Sequence, residues 1–151
     1  MYVTLNMKNV QKEAAALASA CGLVVAVVGS RSVTSCGALA RRLDALHALG
    51  LVGQVVSGGA AGADTLAAEW ARANRVPLVE LLPDYRAHGK AATHVRNAEI
   101  VRRAGVVLLV WDGVSTGTLS SARAAAKLGR RCEWLAVAAP SGQPVAGGLG
   151  L

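Results

Sequence analysis

A stretch from Ser57 to Asp64, with the sequence SGGAAGAD, carries almost no side chains beyond a methyl group. Glycine lets another group approach the backbone closely, and backbone N–H groups ahead of a helix are suited to binding a phosphate. Two further stretches, 29–32 (GSRS) and 112–118 (DGVSTGT), combine glycine with hydroxyl side chains. Glycine ahead of a helix is also ordinary turn chemistry, so one such loop alone is weak evidence. Three together predict an anion-binding site.

Short apolar runs precede these loops and predict the strands that position them. The runs are 23–28, 52–56, 78–82 and 106–111, and 132–137 is typical of a closing edge strand. Uniformly apolar runs indicate strands covered on both faces, as in a parallel sheet between helix layers. Helical patterns alternate with them at 37–49, 65–74, 91–103 and 119–128. The order predicts an α/β three-layer sandwich with a mainly parallel sheet of about five strands.

The composition predicts one domain over 1–151, because 151 residues with 53 % hydrophobic side chains supply a single core. We expect its core at 22–137, a further helix at 8–20 and a flexible tail at 140–151. No apolar run is long enough to cross a bilayer, so we expect no membrane partner. Cys21, Cys36 and Cys132 form no CxxC pair, which favours a reducing cytoplasm and no metal site.

The carboxyl ends of parallel strands meet at one edge of a sheet, which brings the three loops together. The loop after the third strand adds Lys90, and the helix that follows adds Arg96 and Asn97; lysine offers a point charge and arginine a two-pronged donor to phosphate. The predicted ligand-binding residues are Gly29, Ser30, Arg31, Ser57, Gly58, Gly59, Gly62, Asp64, Lys90, Arg96, Asn97, Asp112, Gly113, Ser115, Gly117 and Thr118.

Simpler structural roles compete at several of these positions. Lys90 is as readily an exposed loop lysine, and Arg96 a solvated helix arginine. Asp64, ahead of a helical pattern, is most simply an N-cap. Asp112 precedes glycine, so both turn stabilisation and binding of a ribose hydroxyl are reasonable. Tyr85 could stack against a base.

The charge balance also bears on the partner. Lys and Arg number 16 against 9 Asp and Glu, a net charge of +7, which favours anionic partners. Arginines on solvated helix faces explain the same excess. Only Trp and Tyr, 3 and 2 in number, could form a base-stacking platform. Nucleic acid is therefore a possible partner but not the favoured one.

The motifs, in their order, resemble the SLOG superfamily. They are VGSRS at 28–32, SGGAAGAD with LAAEWA at 57–71, PDY and GK within 83–90, RNAEIV at 96–101 and WDGVSTGT at 111–118. Over about residues 23–137 the chain looks most like the small YspA or YpsA-related group. The resemblance implies a Rossmann-like sheet, a nucleotide or nucleotide-derived ligand and a homodimer. It names no certain cofactor beyond a possible bound nucleotide.

Relatives in that superfamily include the LOG phosphoribohydrolases and the DNA-processing protein DprA, and the chain departs from their patterns in two places. Ala61 stands where the group has an arginine, and Ser121 stands where LOG enzymes carry a catalytic glutamate. Binding, as a sensor or carrier, is therefore the first hypothesis. A nucleotide N-glycosidase is an alternative, with Asp112, Asp84 and Glu69 as weak catalytic candidates. DprA-like binding of single-stranded nucleic acid is a second alternative.

Overall fold

Six parallel strands form the central sheet of the computed structural model, which describes residues 2–3 and 22–137. The order across the sheet is β1-β4-β3-β2-β5-β6, and every neighbouring pair is parallel. The strands are β1 (Tyr2–Val3), β2 (Leu23–Gly29), β3 (Val52–Ser57), β4 (Leu78–Glu80), β5 (Val106–Trp111) and β6 (Arg131–Ala136). The helix expected at 8–20 and the tail at 140–151 lie outside the described residues.

Helices cover both faces of this sheet. They are α1 (Gly37–Ala48), α2 (Ala63–Ala73), the single turn α3 (Tyr85–His88), α4 (Ala92–Arg103) and α5 (Thr116–Lys127), with a 3-10 turn at Gly89–Ala91. Apolar residues of α1 and α2 pack on one face, and those of α4 and α5 on the other. The predicted Rossmann-like three-layer α/β fold is therefore confirmed, with β6 at the edge as expected.

The two apolar cores explain why the strands are apolar throughout. In β2, Val25 and Val27 belong to the α1–α2 core, whereas Val24 and Ala26 belong to the α4–α5 core. Side chains alternate between the faces of a strand, so a strand covered on both faces needs apolar residues at every position.

Helices α2 and α5 begin earlier than their sequence patterns predict, at Ala63 and Thr116. As a result, Asp64 and Gly117 lie in the first turns of helices and not in the loops before them. Within the described residues, no helix is both long and apolar enough to cross a membrane.

One stripe of α1 supplies a test of the core. Leu39, Leu43 and Leu46 are buried as an amphipathic helix requires, but Leu49 follows the last helical residue and is 71 % exposed. Leu43 is 0 % exposed, so we expect Leu43→Ala to lower the free energy of unfolding by about 2–5 kcal/mol through a cavity. Leu49→Ala is the matched control and should change it by under about 0.5 kcal/mol. Urea unfolding measures both; equal losses would contradict the assigned core.

Candidate functional site

A cleft of about 420 Å³ opens at the carboxyl edge of the sheet, where the loops after β2, β3 and β5 converge. Of the 16 predicted ligand-binding residues, ten line this cleft and six do not. Those that line the cleft are Gly29, Arg31, Gly58, Asp64, Arg96, Asn97, Asp112, Ser115, Gly117 and Thr118. Those that lie outside its lining are Ser30, Ser57, Gly59, Gly62, Lys90 and Gly113.

Asp64 is not the N-cap of α2, so that prediction is wrong. The N-cap is Gly62, and Asp64 is the second residue of the helix. Its Oδ2 atom turns back and accepts hydrogen bonds from the backbone N–H groups of Gly58, at 3.1 Å, and Ala60, at 3.2 Å. Two amides of the glycine loop are therefore already paired with a carboxylate of the chain itself.

Arg96 is not a solvated helix arginine, because it is only 8 % exposed. Its Nη1 donates to the carbonyl oxygens of Gly58 and Leu81 at 2.7 and 3.2 Å, and its Nε donates to Oδ1 of Asn97 at 2.8 Å. Burial lowers the pKa of Arg96 from its ordinary value, although Asp64 opposes this shift. The side chain ties the ends of β3 and β4 to α4 and still borders the cleft.

Contacts within the chain disfavour a side chain at two glycines of the loop after β3. A Cβ atom on Gly58 would lie 2.5 Å from Nη1 of Arg96 and 3.0 Å from Oδ2 of Asp64. A Cβ on Gly62 would collide with the carbonyl oxygen of Ser30, and the φ of Gly62 is +81°. The loop SGGAAGAD is therefore bare because other parts of the chain pack against it, whether or not a ligand does.

Asp112 stabilises the turn after β5. Its Oδ1 accepts hydrogen bonds from the amides of Val114 and Ser115 at 2.9 and 2.8 Å, and its Oδ2 accepts one from Oγ of Ser32 at 2.8 Å. Its own N–H donates to Oγ of Ser30 at 3.0 Å, which joins this loop to the loop after β2. The bonds from Val114 and Ser115 are the main reason that the pKa of Asp112 falls to about 2.

The first turn of α5 presents backbone to the cleft. No side chain caps this helix at Ser115, and a Cβ atom on Gly117 would meet nothing within 4 Å. Ser121 is fully buried and donates to the carbonyl oxygen of Gly117 at 3.2 Å. The leading N–H groups of a helix attract anions, so this turn can receive one.

Sequence reasoning missed the face of α4 that borders the cleft. Thr93 and His94 line it together with Ser32 and Ala60, and Nδ1 of His94 lies 3.3 Å from Oγ of Ser120. A signal was present, since Thr93 and His94 lie three residues before Arg96 and Asn97, on the same side of a helix. The helical spacing from Arg96 and Asn97 therefore predicts Thr93 and His94 on the same face.

The catalytic candidates do not assemble in the cleft. Asp84 caps the short helix α3, accepting a hydrogen bond from the amide of Ala87 at 3.0 Å, and Glu69 is exposed on α2. Neither lines the cleft, whereas Asp112 does. Lys90 is exposed in the 3-10 turn and matches the loop-lysine alternative.

The buried carboxyl of Asp64 supplies a pH test. Burial raises its pKa from 3.8 to about 6, against the opposing effects of the Ala60 and Gly58 amides and of Arg96. The folded protein therefore keeps a proton on Asp64 that the unfolded chain has already lost, and the free energy of unfolding should fall as pH rises from 3.8 to about 6.

We expect Asp64→Asn to remove this loss between the two pKa values, whereas Asp84→Asn should keep it. Urea unfolding across this pH range measures the slope, and carbon NMR of the Asp64 carboxyl measures the pKa directly. The same slope in the Asp64→Asn variant and in the wild type would contradict the assignment.

The chain is similar in sequence to one known protein and in structure to several others. The chain is 42 % identical over 94 residues to the Gene 61 protein of Mycobacterium phage D29, covering 57 % of this chain and 74 % of that protein. Its structure is similar to DprA of Streptococcus pneumoniae with a TM-score of 0.62 at 21 % identity, over 75 % of this chain. The chain spans only 50 % of that DprA structure.

A second solved structure shows the same fold. DprA of Helicobacter pylori, described for its single-stranded DNA binding mode, matches with a TM-score of 0.58 at 24 % identity, covering 79 % of this chain and 67 % of that one. The sequence profile of the YspA, cpYpsA-related SLOG family matches residues 23–88, which include β2, β3 and the glycine loop. Together with the phage relative, this match shows that the chain belongs to the YspA, cpYpsA-related SLOG family.

Proposed function

We propose that this protein binds a nucleotide or nucleotide-derived phosphorylated ligand in the cleft, as a sensor or carrier, with the phosphate against the first turn of α5. The observation that carries the proposal is the uncapped start of α5 at a cleft of about 420 Å³, with open space above Gly117. A cleft of this size is in the usual range for small-molecule ligands.

Charge at the cleft favours an anionic ligand. Arg31 and Arg96 both line it, and Arg31 contributes to lowering the pKa of Arg96 because the two cations repel. Arg31 is exposed, and within 22–137 it makes no hydrogen bond or ion pair. A phosphate near both guanidinium groups would relieve their repulsion and could accept bonds from each.

The start of α5 is a better phosphate position than the glycine loop. The amides of Gly58 and Ala60 donate to Asp64, so a phosphate there would have to displace a carboxylate. Ahead of α5 the amides of Val114 and Ser115 donate to Asp112, but the side chain of the N-cap residue Ser115 does not cap the first helical turn. Membership of the SLOG family supports a nucleotide-derived ligand in general, and the homodimer implied by the resemblance stays a prediction.

Single-stranded nucleic acid is the second candidate. It is favoured by the structural similarity to a DprA described for that activity and by the net charge of +7. Tyr85 is 59 % exposed and near enough to Arg96 to affect its pKa, so one base could stack beside the cleft. The scarcity of aromatic residues makes this the weaker candidate.

The first experiment is native mass spectrometry of the purified protein, alone and with nucleoside mono- and diphosphates, nicotinamide dinucleotides and ADP-ribose. We then expect Gly117→Ala to weaken binding of inorganic phosphate and of AMP about tenfold, because the new methyl group occupies the space above the helix start. The substitution should not lower the melting temperature, since its Cβ meets nothing within 4 Å.

Arg31→Ala should weaken both ligands by a similar factor through loss of a charge-assisted bond. Arg41→Ala, on the exposed surface of α1 and outside the cleft lining, is the matched control for lost charge. Calorimetry measures the affinity of all three variants for inorganic phosphate and for AMP. Unchanged affinity in both Gly117→Ala and Arg31→Ala would refute the proposed phosphate position.

Salt dependence distinguishes the two candidates. A single-stranded oligonucleotide held by several phosphates should lose affinity steeply as salt rises, whereas a mononucleotide held at one phosphate should lose little. We expect fluorescence anisotropy to show weak oligonucleotide binding that AMP does not compete. Tight oligonucleotide binding with a steep salt slope, abolished by Tyr85→Ala, would favour the nucleic-acid candidate.

A further inference from the structure

The carboxylate of Asp64 has one oxygen that the fold does not use. Both loop amides donate to Oδ2, and within the described residues no hydrogen bond involves Oδ1. The side chain is only 8 % exposed, yet it lines the cleft. An ionised carboxylate accepts hydrogen bonds at both oxygens, so Oδ1 is an acceptor that a ligand can satisfy.

A donor lies beside this acceptor. Arg96 uses Nε and Nη1 for its contacts with Asn97, Gly58 and Leu81, and Nη2 takes part in none of them. Both side chains converge above Gly58, where a Cβ would lie 2.5 Å from Arg96 and 3.0 Å from Asp64. The two residues therefore bring an unused acceptor and an unused donor to the same glycine at the cleft, which matches a ligand group that carries both functions.

The distance between this pair and the start of α5 bears on the shape of the ligand. Asp64 follows β3 and the start of α5 follows β5, and β2 lies between these strands in the sheet. A ligand whose phosphate lies at α5 would therefore extend across the end of β2 to reach Asp64.

The lining of the cleft favours a sugar over a base as the part of the ligand that reaches Asp64. Among the described residues, no Trp, Tyr or Phe lines the cleft, and the aromatic ring in its lining is the imidazole of His94, which lies 3.3 Å from Ser120 of α5. The large stacking surfaces that bases usually occupy are therefore absent from this lining. The exposed ring of Tyr85 lies outside that lining and is the available stacking surface.

We propose that Asp64, with Arg96 beside it, binds the ribose hydroxyl groups of the ligand, so that the cleft selects ribonucleotides over 2′-deoxyribonucleotides. This inference rests on the nucleotide binding proposed above. The 2′-hydroxyl donates to Oδ1 of Asp64, and the 3′-hydroxyl accepts from Nη2 of Arg96. A deoxyribose leaves the buried carboxylate without its donor, and unpaired buried polar groups discriminate strongly against such analogues.

The test compares matched ligands on the wild-type protein by calorimetry at pH 8, where Asp64 is ionised. The probes are AMP, 2′-deoxy-AMP and GMP, ribose 5-phosphate and 2-deoxyribose 5-phosphate, and inorganic phosphate. We expect each deoxy compound to bind about tenfold more weakly than its ribose partner, the effect of one charge-assisted hydrogen bond.

Asp64→Asn separates recognition from structure. The Asn oxygen can accept from the Gly58 and Ala60 amides, which leaves its NH₂ group facing the cleft in place of an acceptor. We expect the ribose preference to fall towards one while phosphate affinity does not weaken. A purely structural role predicts equal losses for the ribose and deoxyribose compounds. Asp84→Asn, at an exposed carboxylate outside the cleft, is the matched control and should keep the preference.

Each outcome decides between the proposals. Equal binding of AMP and 2′-deoxy-AMP by the wild type overturns the ribose inference and leaves the phosphate site intact. Affinity that changes between AMP and GMP but not with the sugar also overturns it, since Asp64 then contacts the base. No binding of inorganic phosphate or of either nucleotide refutes the proposed function, and the ribose inference with it.

Discussion

Two buried, oppositely charged side chains bond to the backbone of Gly58, and the cleft depends on this constraint. Asp64 comes from α2, which packs on one face of the sheet, and Arg96 comes from α4, which packs on the other. A buried charge is costly unless it is paired and hydrogen-bonded, and here loop amides and carbonyl oxygens bond to both groups. Through Gly58, these bonds therefore join the two helical layers at the edge of the sheet where the cleft opens.

A second set of bonds fixes the other side of the cleft. Oγ of Ser30 accepts a hydrogen bond from the backbone N–H of Asp112, and Oγ of Ser32 donates one to the carboxylate of Asp112. These bonds hold the loops after β2 and β5 together. The amide of Ala63 also donates to the carbonyl oxygen of Ser30, which extends the connection to the start of α2. The three loops are thus bonded directly to one another, and loops held in this way lose little conformational entropy on binding.

The sequence predicted the strands, helices and loops around this site better than it predicted the contacts between side chains. Apolar runs and helical periodicity identified the strands, because a sheet covered on both faces requires them, and glycine and hydroxyl residues marked the loops. The roles of Asp64 and Arg96 were not predictable in this way. Arg96 bonds to Gly58, which is 38 residues distant in the chain, and no local pattern records which way either side chain turns. Helix α5 begins three residues before its apolar pattern, since its first turn borders the cleft and its one buried residue, Thr118, is polar.

The packing around Gly58 also has an evolutionary consequence. A Cβ atom there would lie 2.5 Å from Nη1 of the buried Arg96, so packing within the chain favours the glycine, whatever the protein binds. At Gly117 no such collision exists, and only a ligand would restrict the residue. Homologues that acquired different ligands are therefore expected to keep the first glycine and to vary the second. Glycine at position 58 therefore indicates a shared fold, whereas the residue at position 117 indicates the kind of ligand.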